Sequence, residues 1–230
     1  MTPPRERSTF DIRDVRRWGV VPLVELPSVD AAVPVATTLR DAGLPCIEVA
    51  LRTEAAIDGI AAIREACPSV VLGAGTVLDG EQLEAVIRIG VQFVVTPGFD
   101  PEIVDRCRAA GVAILPGVAT PTEIALARRG GLSVLKLFPA ASLGGVPYLK
   151  AIAAPFRDVM FVPTGGIDGS SLPDYLAVPQ VLACGGSWVV PSSRLRAGDF
   201  EGIGRLVRDA LATVRALRGP LAEDERRGDR

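Results

Sequence analysis

The sequence predicts an α/β protein of the (β/α)8 TIM-barrel class with an N-terminal capping helix. Three observations support that expectation. Short apolar runs rich in Val, Ile and Leu alternate with helical patterns along most of the chain. Strands of that kind, separated by helices, suit a parallel sheet buried on both faces. Eight such strand–helix units of roughly 20–25 residues fit a compact barrel, with a doubly wound open sheet as the rival.

The elements follow in order. Phe10–Trp18 reads as a short amphipathic helix that caps the fold. Val20–Val24 is the first strand, followed by a helix from Ser28, its N-cap, to Ala42, closed by Gly43. Cys46–Leu51 is a strand and Thr53–Ala66 a helix with Thr53 as N-cap. Val70–Gly73 precedes a helix over Asp79–Ile89 that Gly90 ends. Phe93–Thr96 precedes Asp100–Ala110, ended by Gly111. Ala113–Pro116 precedes Thr120–Arg129, ended by Gly130 and Gly131. Val134–Phe138 is followed by a Gly-rich loop and a helix around Val146–Ala153. Met160–Pro163 precedes a helix near Ser170–Ala177, Val181–Cys184 is the last strand, and Phe200–Leu217 the last helix. Residues 1–230 are expected to form one domain, with 1–9 and 219–230 as loose tails.

Composition narrows the function. The chain has 230 residues, 48% hydrophobic and 23% charged, which suits one domain with a large core. A net charge of −2 gives no reason to expect nucleic-acid binding. No apolar run approaches the roughly 18 residues of a membrane span, and the polar N-terminus has no signal-peptide core. The four cysteines form no CxxC pair and read as reduced structural thiols of a cytoplasmic protein. The chain contains no histidine. Acid–base chemistry must therefore come from Glu, Asp, Lys, Tyr, Cys or water, and His-based metal sites are excluded.

Two charges stand where apolar residues are expected. Only two of the 25 basic residues are lysines, Lys136 and Lys150, and Lys136 sits inside the run SVLKLFP. A buried unpaired ammonium is costly. One task needs lysine and cannot use arginine: attack of a neutral amine on a ketone to give a Schiff base. A lysine that snorkels to solvent is the bland alternative. Glu48 lies between Ile47 and Val49 and shares a strand face with Cys46 and Ala50. It is expected to pair or to take up a proton. A structural ion pair and a catalytic pair with Lys136 both fit that spacing.

In a barrel the site lies at the C-terminal strand ends. Besides Lys136 and Glu48, those ends carry Arg52, Thr76, Thr96, Pro97, Pro116 and Phe138. Two glycine corners, Pro163-Thr164-Gly165-Gly166-Ile167 and Cys184-Gly185-Gly186-Ser187-Trp188, follow the last two strands. Glycine lets a backbone approach an anion closely, and barrels often bind phosphate there. Tight turns with no ligand use the same residues. Trp18 and Trp188 read as packing. The run Gly73-Ala74-Gly75-Thr76-Val77-Leu78 lacks the third glycine of a dinucleotide fingerprint and follows the third strand, not the first.

As an ordered set, IEVALRT, GAGTV, TPG, LPGVAT, KLFPA, PTGGI and GGSWVVP resemble the bacterial 2-keto-3-deoxy-6-phosphogluconate (KDPG) aldolases, a group that includes 4-hydroxy-2-oxoglutarate (KHG) aldolases. The resemblance runs from about Val20 to about Leu217. It implies a class I aldolase, a lyase on a (β/α)8 barrel that needs no cofactor and no metal and is usually a homotrimer. By motif match Lys136 would be the Schiff-base lysine and Glu48 the proton-shuttling carboxylate. Arg52 and Thr76 would hold the substrate carboxylate. Pro97 and Phe138 would shape the pocket, and Thr164, Gly165, Gly166, Gly186 and Ser187 would cradle phosphate. The implied reaction splits KDPG into pyruvate and glyceraldehyde 3-phosphate. Rival substrates are 4-hydroxy-2-oxoglutarate and 2-dehydro-3-deoxy-6-phosphogalactonate, and a non-catalytic sugar-phosphate-binding barrel is the non-enzyme rival. One residue departs from the family: Glu25 stands where many members carry Arg or an apolar residue. An acid there disfavours an anionic substrate unless it faces away.

Overall fold

The computed structural model describes residues 10–219. It is an α/β fold on curled parallel sheets. One sheet has strand order β5-β4-β3-β2-β1-β9 and the other β6-β7-β8. The strands are β1 (Val20–Val24), β2 (Cys46–Ala50), β3 (Val71–Gly75), β4 (Phe93–Val95), β5 (Ala113–Leu115), β6 (Gly117–Val118), β7 (Val134–Leu137), β8 (Met160–Pro163) and β9 (Cys184–Gly186). Every pairing is parallel. The sheets approach each other at both edges. Pro116 alone separates β5 from β6, and its carbonyl accepts from the Lys136 amide at 2.9 Å. At the other edge Phe161 bridges Val181 and Thr164 bridges Gly185.

Helices separate the strands: α1 (Ala32–Asp41), α2 (Ala56–Ala66), α3 (Gly80–Ile89), α4 (Pro101–Ala110), α5 (Pro121–Arg129), α6 (Gly145–Ala153), α7 (Leu172–Leu176), α8 (Ser192–Arg196) and α9 (Phe200–Arg218). The best-marked boundaries are those with explicit caps. Asp79 accepts from the Gln82 amide to start α3, and Gly90 ends it in the left-handed region. Asp100 and Pro101 start α4 in the same way, and Gly111 ends it. Thr120 and Glu123 form a reciprocal capping box at α5. Each such cap contributes about 1 kcal/mol.

The structure departs from the sequence expectation at several boundaries, and at the strand glycines side-chain packing explains it. The third strand runs on to Gly75 rather than stopping at Gly73. A Cβ on Gly73 would lie 2.2 Å from the Phe93 ring, and one on Gly75 would lie 2.1 Å from Glu48 Oε1. These glycines are strand residues that make room for neighbours. The last strand is Cys184–Gly186, not Val181–Cys184. Gly185 and Gly186, read as a corner, pair with Val21 and Pro22 instead. Thr164 and Trp188 fill the space their Cβ atoms would need. Thr53 caps nothing: α2 starts at Ala56, and the Thr53 hydroxyl is buried with no partner. Ser28 gives no side-chain cap, and its helix opens with a 3-10 turn over Val29–Ala31 before α1. The strand expected over Ala113–Pro116 divides at Pro116 into β5 and β6, and α8 was not anticipated.

The N-terminal helix is a 3-10 helix, Ile12–Arg17. Just before it, Phe10 sets its ring 5.7 Å from that of Phe93. The Arg218 guanidinium at the end of α9 donates to the Val181 carbonyl at 2.7 Å, tying the last helix to the chain entering β9. The expected tails lie outside the described residues, apart from Gly219, which follows α9.

Candidate active site

Lys136 is on β7, where all four residues are buried, and only 2% of its surface is exposed. It does not snorkel. Its neighbours across the sheet are Gly117 and Val162. Its Nζ lies 4.9 Å from the centre of the Phe138 ring, just before the cis Phe138–Pro139 peptide. Burial pushes the ammonium pKa below its usual 10.5. The Glu48 charge opposes that shift and the Arg52 charge adds to it.

Glu48 is on β2 between Leu23 of β1 and Gly73 of β3, and is also 2% exposed. Its side chain leans along the strand to Gly75. Its Oε1 is buried with no hydrogen-bond partner. Burial raises the carboxyl pKa, while the charges of Lys136 and Arg52 pull it down. Among the described residues these two groups form no direct ion pair. Desolvation dominates both, so each is driven towards its neutral form, amine beside carboxylic acid. Such a pair can exchange a proton at small cost when a charge develops between its members. Because Gly75 leaves room for Glu48 Oε1, Gly75→Ala is expected to displace the carboxyl. Turnover should fall roughly tenfold or more with the circular-dichroism spectrum unchanged. Wild-type kinetics in that variant would show that Glu48 position does not matter.

Arg52 and Thr76 form the second group. Arg52 Nε donates to Thr76 Oγ1 at 3.1 Å, and Arg52 Nη1 donates to Glu25 Oε1 at 2.8 Å. Thr76 has φ +57°, a left-handed conformation that costs a β-branched residue about 1–3 kcal/mol. Glu25, the first residue beyond β1, does not face away. It forms an ion pair with Arg52, both partners being partly exposed.

Glu25 and Arg52 border a cavity of about 280 Å³, whose lining also includes Phe138, Thr164, Gly165, Gly166, Gly186 and Ser187. Gly165 and Gly166 have φ +98° and +74°, the region glycine enters freely. A Cβ on Gly165 would touch the Phe138 ring at 3.3 Å, so Phe138 stands between the glycine corner and Lys136.

The predicted residues thus fall into two connected layers. Arg52, Phe138, Thr164, Gly165, Gly166, Gly186 and Ser187 line the cavity. Lys136, Glu48, Thr76 and Pro97 do not. Thr76 is joined to the cavity through Arg52, and Lys136 through Phe138. The Pro97 carbonyl packs on Gly117, the residue paired with Lys136. The hydroxyl of buried Thr96 donates to the Gly98 carbonyl at 2.6 Å and fixes that turn. Sequence reasoning missed Leu23, Ile167 and Ser192 in the lining, and read Trp188 as packing alone. Trp188 lines the cavity and also fills the space beside Gly186. The only sequence signal for it was its place directly after GGS.

The family model for KDPG and KHG aldolase matches residues 12–206. A 2-dehydro-3-deoxy-phosphogluconate aldolase of Treponema pallidum is 48% identical over 200 residues, 87% of this chain and 95% of its own length. The crystal structure of 2-keto-3-deoxy-6-phosphogluconate aldolase from Zymomonas mobilis superposes with a TM-score of 0.83 at 40% identity, covering 89% of this chain and 98% of that one. A KDPG aldolase structure from Legionella pneumophila, with pyruvate captured as a covalent carbinolamine intermediate, gives a TM-score of 0.85 at 32% identity. That match covers 88% of this chain and 99% of the other.

Proposed function

The chain belongs to the KDPG and KHG aldolase family, and from that premise we propose that it is a class I aldolase cleaving KDPG to pyruvate and glyceraldehyde 3-phosphate. The observation that carries the reading is a lysine 2% exposed, its amine pKa lowered by burial, in electrostatic contact with an equally buried carboxyl and joined through the Phe138 ring to a cavity.

In this reading the neutral Lys136 amine adds to the C2 ketone. Glu48, which burial favours in its protonated form, gives its proton to the departing hydroxyl, and water leaves to form the iminium. The new cation favours the Glu48 carboxylate. That carboxylate, directly or through a water, takes the C4 hydroxyl proton. The C3–C4 bond breaks, its electrons pass to the iminium nitrogen, and glyceraldehyde 3-phosphate departs. Glu48 returns the proton to C3 of the enamine, and hydrolysis of the iminium frees pyruvate and Lys136. Arg52 and Thr76 hold the C1 carboxylate, while Pro97 and Phe138 bound the reacting carbons.

Phosphate recognition is assigned to Thr164, Gly165, Gly166, Gly186 and Ser187. It is supported by their shared lining of one cavity and by the two positive-φ glycines. The test compares kcat/KM for KDPG and an unphosphorylated analogue in wild type and Ser187→Ala. Wild type is expected to prefer KDPG, and Ser187→Ala to lose roughly tenfold of that preference. An equal rate for both substrates in wild type would leave the corner as a turn.

We also read the two sheets as one closed eight-stranded barrel in a single domain, with the 3-10 helix as its N-terminal cap. The edge bridges, the Phe10–Phe93 contact and one continuous core support this. A homotrimer is proposed from the family and from exposed Val29 and Leu78, which offer apolar surface. Light scattering is expected to give three times the chain mass. The cytoplasm is proposed as the compartment, supported by four buried free thiols, and cell fractionation tests it.

A further inference from the structure

We propose that Glu25 reads the fifth carbon of the substrate, favouring a keto acid with a hydroxyl there and rejecting one with a carboxylate. The proposal rests on the aldolase reading above and adds a residue that selects between the two substrates in the family name.

Topology puts Glu25 in position to do this. β1 lies between β2 and β9. Beyond the end of β2 stands Arg52, and at the end of β9 stand Gly186 and Ser187. A keto acid held by its carboxylate at Arg52, with a distant anion at the glycine corner, has its two ends at the strands that flank β1. Glu25 is the first residue beyond the end of β1. It lines the same cavity as Arg52, Gly165, Gly166, Gly186 and Ser187, and among the described residues it is the only carboxylate in the lining. Its Oε1 is occupied by Arg52 Nη1. No other hydrogen bond to Glu25 occurs among the described residues, so Oε2 remains an unused acceptor beside the cavity.

The two substrates differ where they meet this acceptor. In KDPG, C5 carries a hydroxyl and the anion lies one carbon further on. In 4-hydroxy-2-oxoglutarate, C5 is itself a carboxylate. A hydroxyl donating to Oε2 makes a charge-assisted hydrogen bond, about twice the strength of a neutral one. A carboxylate there meets a like charge and has no proton to give. Glu25 also occupies one edge of the Arg52 guanidinium, which lowers the pull of that cation on any second carboxylate. The departure from Arg or an apolar residue at this position therefore acts on selectivity while the Lys136 chemistry stays the same.

The experiment measures kcat/KM for cleavage of KDPG and of 4-hydroxy-2-oxoglutarate in wild type, Glu25→Gln and Glu25→Val, with circular dichroism to verify folding. Gln keeps an oxygen for Arg52 and removes the charge, whereas Val removes both. The KDPG-over-dicarboxylate ratio is expected to fall about tenfold or more in both variants, largely through a lower KM for the dicarboxylate. An unchanged ratio in both variants overturns the inference. So does a ratio that changes only in Val, because Glu25 would then be a prop for Arg52. Cleavage of neither substrate by wild type would count against the aldolase reading itself.

Discussion

Lys136→Arg is expected to lower kcat by about 10⁴-fold or more while the protein stays folded. The argument rests on the proton, not on size or charge. Arginine fills a similar volume and keeps a positive charge, but it stays protonated at any working pH and cannot add to a ketone. Lysine at this position differs from lysine in water, because burial lowers its pKa from 10.5. The pH profile should show it. Wild-type kcat/KM falls as pH drops through the lowered Lys136 pKa, because the amine becomes protonated. It levels off above that value, at a pH below 10.5. Activity that keeps rising to 10.5 would mean that the reacting amine is not desolvated.

Glu48→Gln is expected to lower kcat by roughly 10²–10⁴ while the Schiff base with pyruvate still forms, more slowly, with water supplying the proton. Gln has the same shape and cannot carry the proton. The same substitution tests the energetics. A carboxyl whose folded pKa is raised above its unfolded value costs stability as soon as the pH exceeds the unfolded value, the cost grows until the pH passes the folded pKa, and it is fully relieved only below the unfolded value. Glu48 is in that position, with Oε1 buried and unpartnered. The Gln variant should therefore match or exceed wild type in Tm at neutral pH while losing turnover. A variant that loses stability and keeps its rate would make Glu48 a structural residue and remove it from the mechanism.

Much of this site was legible in the sequence because its chemistry contradicts its surroundings. Lys136 in VLKL and Glu48 in IEVA are charges in strands that burial otherwise reserves for apolar residues, and both are 2% exposed. Helix ends with a side-chain cap and a left-handed glycine, as at α3 and α4, were equally plain. The glycines misled. Gly75, Gly185 and Gly186 punctuate turns by composition, yet each sits in a strand where another residue needs the space of its Cβ. That need comes from Glu48, Thr164 and Trp188, and no local pattern reports it. The role of Glu25 was hidden for the same reason. Its charge was visible, but whether it faced the cavity depended on the pairing of β1 with β2 and β9.

The central claim is that the Lys136 amine forms the covalent bond to substrate. Borohydride reduction of the wild-type protein in the presence of pyruvate, followed by intact mass and peptide mapping, tests it most directly. The account predicts one stable adduct on the peptide containing Lys136 and none in Lys136→Arg. An adduct on Lys150, exposed on α6, or no adduct at all would contradict it.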